Sequence, residues 1–187
     1  MYCNRRNFAV ALGLLLGRVV GEASNFPLLD RFAGHYVLLR DQSEDIRRAI
    51  ERATENMNFF VRPIARRLLR QKTILYPSFS LERSGEFLHT SLAGEPPLLL
   101  PLSGAAVPWK APDGETVRVR LILGQQALRQ IFEAKQGRRE NRFTLSSDGG
   151  LLMMDVTITS NELPQPVKYQ LIYRRDLALP TSTLRAP

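Results

Sequence analysis

From residue 73 onward the chain alternates. Val117, Val119 and Leu121 stand against Arg118 and Arg120; Leu152, Met154, Val156 and Ile158 stand against Asp155, Thr157 and Thr159; Val167, Tyr169, Leu171 and Tyr173 stand against Lys168, Gln170 and Arg174. A period of two sends successive side chains to opposite faces of a strand, so each segment buries one face and wets the other. Turn-forming clusters divide the region: Ser84-Gly85, Gly94-Glu95-Pro96, Ser103-Gly104, Pro112-Asp113-Gly114, Gln136-Gly137, Ser147-Asp148-Gly149-Gly150 and Leu163-Pro164-Gln165-Pro166. About nine short strands lie between them, with no helical period intervening, and consecutive strands of this kind form an antiparallel meander. Closing the meander into a barrel removes its two exposed edges.

Upstream, residues 32–39 (FAGHYVLL) read as a first strand. The period then changes: Ile46, Ala49, Ile50, Ala53 and Met57 recur at helical spacing, with Arg47, Arg48, Glu51, Arg52 and Glu55 on the other side. Ser43 is the expected N-cap, and Glu44 and Asp45 put negative charge in the first turn, where the helix dipole favours it. Asn56-Met57-Asn58 and Pro63 interrupt the run, so a second helix is expected to begin near residues 60–63. Its Phe60, Ile64 and Leu68 share one face, read as a core stripe, and Arg62, Arg66, Arg67, Arg70 and Lys72 crowd the rest. The predicted fold class is therefore all-β with a short helical insertion: an antiparallel up-and-down barrel of eight to ten strands, with a helix-turn-helix lid over residues 43–71 after strand one.

The predicted division of the chain is an export signal over 1–23, a single barrel domain over 24–175 and a tail over 176–187. Arg5 and Arg6 make a charged start, and residues 8–17 (FAVALGLLLG) form an apolar run too short to span a bilayer. Gly21 and Ala23 place small residues before a cut after Ala23, and the paired arginines followed by Phe8 suit the twin-arginine route. The expected location is periplasmic or secreted, in a bacterial cell. Cys3 is the only cysteine and lies inside this segment, so the remaining chain relies on its own core rather than on disulfides. The formal charge of +8 favours anionic company, and only four of the 26 basic residues are lysine, so arginine carries most of it.

One strand beginning Gly34-His35-Tyr36, then two short helices, then about nine strands ending in Tyr173-Arg174-Arg175, is an order that resembles the calycins, the lipocalins and fatty-acid-binding proteins. In that superfamily the first strand carries Gly-x-Trp, the aromatic ring closes one end of the barrel, and a late arginine packs over it. By that resemblance Gly34 and Tyr36, a tyrosine in place of the tryptophan, occupy the first motif, and Arg174 or Arg175 the second. The fatty-acid-binding branch places a helical lid where residues 43–71 fall. Its arginine-x-tyrosine carboxylate clamp on the last strand has no match in Tyr169-Gln170-Leu171-Ile172-Tyr173.

A barrel of this size either fills its interior or encloses a ligand. If hollow, the inward set includes Tyr36, Phe79, Leu121, Gln130, Phe132, Met154, Tyr169 and Tyr173 as ligand-binding candidates, with Leu75, Val119, Leu128 and Val156 beside them. Gln130, Tyr169 and Tyr173 supply the polar tips that orient a headgroup. The function expected is an exported carrier or sensor of a hydrophobic or amphipathic small molecule, such as a lipid or fatty acid, without catalysis. The alternative is a filled barrel whose lid, carrying Phe59 and Phe60 beside Arg62, Arg66, Arg67 and Arg70, docks on an anionic membrane surface or a protein partner. Catalysis lacks its parts: His35 and His89 are the only histidines and sit in no metal-ligand pattern, no Ser lies in a GxSxG elbow, and there is no phosphate loop, so no catalytic residue, metal or cofactor is expected. A barrel isomerase or cyclase would need an inward carboxylate such as Glu133, which the alternation places outward. Nucleic acid is not expected, since aromatics do not interleave with the basic residues of the strands.

Overall fold

The computed structural model describes residues 27–176 apart from 112. The expected export segment 1–23 lies outside the described residues, as does the expected tail 176–187 apart from Asp176, which ends the last strand. The chain begins with a short helix, α1 (Pro27–Phe32), then β1 (Gly34–Leu38), one 3-10 turn (Arg40–Gln42), and helices α2 (Ile46–Ala53) and α3 (Arg62–Lys72). Nine strands follow: β2 (Ser78–Ser84), β3 (Phe87–Leu92), β4 (Leu98–Pro101), β5 (Val107–Lys110), β6 (Thr116–Leu123), β7 (Ala127–Glu133), β8 (Gly137–Leu145), β9 (Leu151–Ser160) and β10 (Val167–Asp176). They make one 10-stranded sheet in the order β4-β3-β2-β1-β10-β9-β8-β7-β6-β5. Every neighbouring pair is antiparallel, and β1 pairs with β10, so the meander curls round on itself. Among the described residues β4 and β5 do not pair, and the barrel is closed except for that seam.

The alternation drives the curl. Val167, Tyr169, Leu171 and Tyr173 are all buried on β10 while Lys168, Gln170 and Arg174 are exposed, and β6 and β9 repeat the pattern. The end nearest α1 is packed solid by Leu29, Phe32, Tyr36, Leu81, Leu88, Leu100, Leu121, Leu128 and Leu152. Phe79 sits above that layer, stacked on Tyr36 at 5.4 Å and edge-on to Tyr173 at 4.8 Å. Tyr36 donates its hydroxyl proton to the Phe32 carbonyl at 2.8 Å, and Arg175, the second of the two late arginines, covers its ring. Gly34 has φ +155°, and a Cβ there would stand 3.2 Å from the Arg175 Nε, so the close approach of the first and last strands requires glycine.

Three local expectations are corrected. Phe32 ends helix α1 instead of opening strand one, with its side chain buried in the core and its carbonyl accepting from the Tyr36 hydroxyl. The N-cap of α2 is Asp45, whose carboxylate accepts from the Arg47 N–H at 2.8 Å. Ser43 instead ties the chain to β10: its hydroxyl donates to the Leu39 carbonyl and accepts from the Ile172 N–H. Glu44 likewise precedes the first turn and accepts from the Gln170 N–H at 2.9 Å. Finally, the Phe60, Ile64 and Leu68 face is not a core stripe. All three residues are exposed and α3 buries none of its residues, whereas α2 buries Ala49, Ile50 and Ala53.

Candidate ligand-binding site

Between the packed end of the barrel and α3 the interior is hollow, with a cavity of about 720 Å³. The filled barrel of the alternative reading is therefore replaced by one packed at one end and open at the other. Phe79, Gln130, Phe132, Met154 and Tyr173, all expected from the alternation, line the cavity. Tyr36, Leu121 and Tyr169 are buried but do not line it, and Tyr36 and Leu121 belong to the packed end. Trp109 and Val117 continue the wall, and Ile64, Ala65, Leu68 and Leu69 of α3 form the roof. That is why α3 carries an apolar stripe with no core beneath it: it faces a hollow.

Polar groups are few and converge. Gln130 donates from Nε2 to Thr90 Oγ1 at 2.9 Å, bridging β7 to β3 across the interior. On the inner face Gln130, Asn141, Val156 and Tyr169 stand in register on β7 to β10. Arg139 lies one step nearer the lid, opposite Phe132 and Ile158, and donates from Nε to Asn141 Oδ1 at 2.8 Å. Four outward arginines of this sheet, Arg120, Arg129, Arg138 and Arg142, each meet a carboxylate of Glu133, Glu140 or Asp155, whereas the exposed Arg118 and Arg174 turn to solvent. Arg139 makes no ion pair among the described residues and lines the cavity. Its charge reaches Tyr76, Tyr169 and Tyr173. Burial pushes all three hydroxyls above their usual range, Arg139 pulls each back down, and Glu95 adds to the rise at Tyr76. The hydroxyls of Thr73 and Tyr169 and the Trp109 Nε1–H are among the buried groups that find no partner among the described residues.

Arg139 was missed because β8 reads GRRENRFTL, which looks polar on both faces. Counting back in twos from buried Phe143 places Asn141 and Arg139 inward, and that was the available signal.

Phe59 and Phe60 do not enter the cavity. They stand in the α2–α3 turn, 75% and 81% exposed. The four lid arginines differ. Arg62 donates to the Met57 carbonyl, Arg66 to Thr54 Oγ1 at 2.8 Å, and Arg70 stands 4.0 Å from Glu51, while Arg67 makes no ion pair or hydrogen bond among the described residues. His35 is on the outside, its Nδ1 2.9 Å from Ser80 Oγ, and Glu133 is outside as well, paired with Arg120. Neither supplies chemistry to the cavity.

No protein-family model matches the chain, and no curated protein does. Solved structures do. The fluorescent protein UnaG is similar over 79% of this chain and 99% of its own, at 14% identity and a TM-score of 0.51. A Schistosoma mansoni fatty acid binding protein in complex with arachidonic acid is similar over 79% and 98%, at 15% identity and a TM-score of 0.50. Lipid binding protein 8 of Caenorhabditis elegans, in its apo form, is similar over 79% and 96%, at 13% identity and a TM-score of 0.50. The likeness is one of fold. With ten antiparallel strands, helical segments after the first strand, and Tyr36 and Arg175 closing one end, the chain has the barrel fold seen in that fatty acid binding protein.

Proposed function

We propose that the protein is a non-catalytic carrier or sensor that takes a lipid or fatty acid, or another amphipathic small molecule, into the cavity under α3. One observation carries the reading: a lidded space of about 720 Å³, its walls mostly apolar, is lined by Arg139, which makes no ion pair among the described residues. Apolar walls reward burial of hydrocarbon by roughly 0.8 kcal/mol per methylene before costs, and an unpaired interior cation favours an anionic head. The fold shared with a fatty acid binding protein solved with arachidonic acid supports the same class. Native mass spectrometry before and after exposure to a mixed lipid extract tests it. A stoichiometric adduct of lipid mass is expected, and a bare protein mass in both spectra overturns the reading. Arg139→Met is expected to weaken a fatty acid more than the matching fatty alcohol.

The exposed lid surface favours a second reading alongside the first, in which Phe59, Phe60 and Arg67 touch an anionic membrane surface. Sedimentation with vesicles containing phosphatidylserine is expected to depend on salt and to be lost in Phe59→Ser with Phe60→Ser. Undiminished sedimentation removes it. The charged and apolar start of the chain supports work outside the cytoplasm, and cell fractionation checks that.

A further inference from the structure

We propose that Lys72, with Asp113 and Glu115 on the turn opposite, forms an ionic latch across the cavity mouth, and that ligand exchanges through the gap this latch closes. The inference rests on the carrier reading and concerns how that same site is regulated.

The two lid helices are attached unequally. At its base α2 is joined to β10 through Ser43 and Glu44, at its far end Gln165 donates to the Arg52 carbonyl at 2.7 Å, and between them its buried face packs on the barrel. Helix α3 has no fully buried residue, and its Leu69 alone packs against the core. Its arginines hold it to α2 and to the intervening turn: Arg66 reaches Thr54 and the Glu51 carbonyl, Arg70 approaches Glu51, and Arg62 reaches Met57. Those bonds knit the lid to itself and do not reach the barrel.

Only one polar tie runs from α3 to the strands beyond the cavity, among the described residues. Lys72, the last residue of the helix, donates from Nζ to Glu115 Oε2 at 2.8 Å and stands 3.5 Å from Asp113 Oδ2. The acceptors are preset, because Asp113 accepts from the Glu115 N–H at 3.1 Å and the Ala111 N–H donates to the Glu115 carbonyl at 2.8 Å. All three side chains line the cavity, so parting them opens directly onto it. The Glu115 hydrogen bond raises the Lys72 pKa, and the lysine stays charged throughout the neutral range. The latch therefore yields to screening or to a competing anion rather than to modest pH changes. Its side chains are a third to a half exposed, and ion pairs so placed are weak and salt-sensitive. A tie that must open repeatedly needs that weakness. The other flank of the mouth holds no ion pair among the described residues: there Met57, Asn58 and Val61 face Asn161, Glu162, Leu163 and Pro164 of the β9–β10 turn.

Stopped-flow fluorescence with the uncharged probe N-phenyl-1-naphthylamine tests this on the full protein, because salt and substitutions then act on the protein and not on ligand charge. In Lys72→Met the association and dissociation rates are expected to rise together by about twofold to fivefold, the span of an exposed ion pair, with Kd almost unchanged. Raising NaCl from about 0.05 to about 0.5 M should give the same rise in the wild type, through shortened screening length, and none in the variant. Exchanging the charges, Lys72→Glu with Glu115→Lys and Asp113→Asn, is expected to restore the slow rates. Loss of packing would not be repaired by such an exchange. Rates that ignore salt and Lys72→Met, or a folded exchange variant that stays fast, overturn the latch while leaving the carrier reading intact. A wild type that never binds the probe removes both.

Discussion

The guanidinium of Arg175 lies 5.5 Å from the centroid of the Tyr36 ring and donates from Nη2 to its hydroxyl at 2.9 Å. The same group donates to the Arg31 carbonyl, so one contact joins α1 to the first and last strands. It sits at the end of the barrel away from the lid. Arg175→Met should therefore lower unfolding free energy by about 1–3 kcal/mol, from the lost cation–π contact and hydrogen bonds, without changing ligand affinity. Urea unfolding and probe titration on the same variant separate the two effects, and a parallel fall in affinity would contradict this assignment.

Phe79 has a double role. Its ring contacts Tyr36, Phe143 and Tyr173, and its outer edge is cavity wall. Phe79→Ala is expected to cost about 3–5 kcal/mol, as for other large-to-small core changes, and to admit a bulkier ligand. Phe132→Ala, farther from the packed end, should alter ligand preference at a smaller cost in stability.

Burial separates the two lid helices, and amide hydrogen exchange should report it. The amides of α2 are expected to exchange far more slowly than those of α3, since Ala49, Ile50 and Ala53 are buried and α3 buries none. Ile50→Ala should cost about 2–5 kcal/mol, whereas Ile64→Ala, on an exposed position, should stay within about 0.5 kcal/mol. Equal protection of both helices would show that α3 is held by more than its arginines and Lys72.

Stability should weaken in acid through Glu140. The Arg129 hydrogen bond holds its carboxyl below the usual 4.5, with burial opposing and Arg129 and Arg138 charges assisting. A depressed folded-state value means the contribution is whole above the unfolded value and is lost as pH falls through the lower folded one. The difference between wild type and Glu140→Gln, within about 1 kcal/mol for so exposed a cluster, should be constant near neutrality and shrink below pH 4.5. A difference that grows in acid would reverse the sign.

The sheet was legible because its two faces meet different solvents. On β6, β9 and β10 the alternation runs unbroken, and the pairing register follows from it. The closure by Tyr36 and Arg175 was legible through resemblance rather than periodicity, since the two are distant in sequence and meet only in the closed barrel. The site was harder to read. A cavity wall needs polar tips among its apolar residues, so Arg139 and Asn141 interrupt the very pattern that marks the inner face. The α3 stripe misled for a related reason: a helix roofing a hollow and a helix packed on a core share one spacing, and only the space beneath them differs. The α2 cap was off by two residues because Ser43, a good cap by type, was already bonded to β10.

The unpaired seam has a consequence for how the molecules behave together. A sheet with two free edges offers each as a template for another chain, the usual route to fibrils and swapped dimers. Here the edge strands β4 and β5 are four residues each, and each includes a proline, Pro101 and Pro108, with no N–H to offer an incoming strand. Short, proline-bearing edges of this kind are poor templates for strand addition, so the seam is protected by its own sequence.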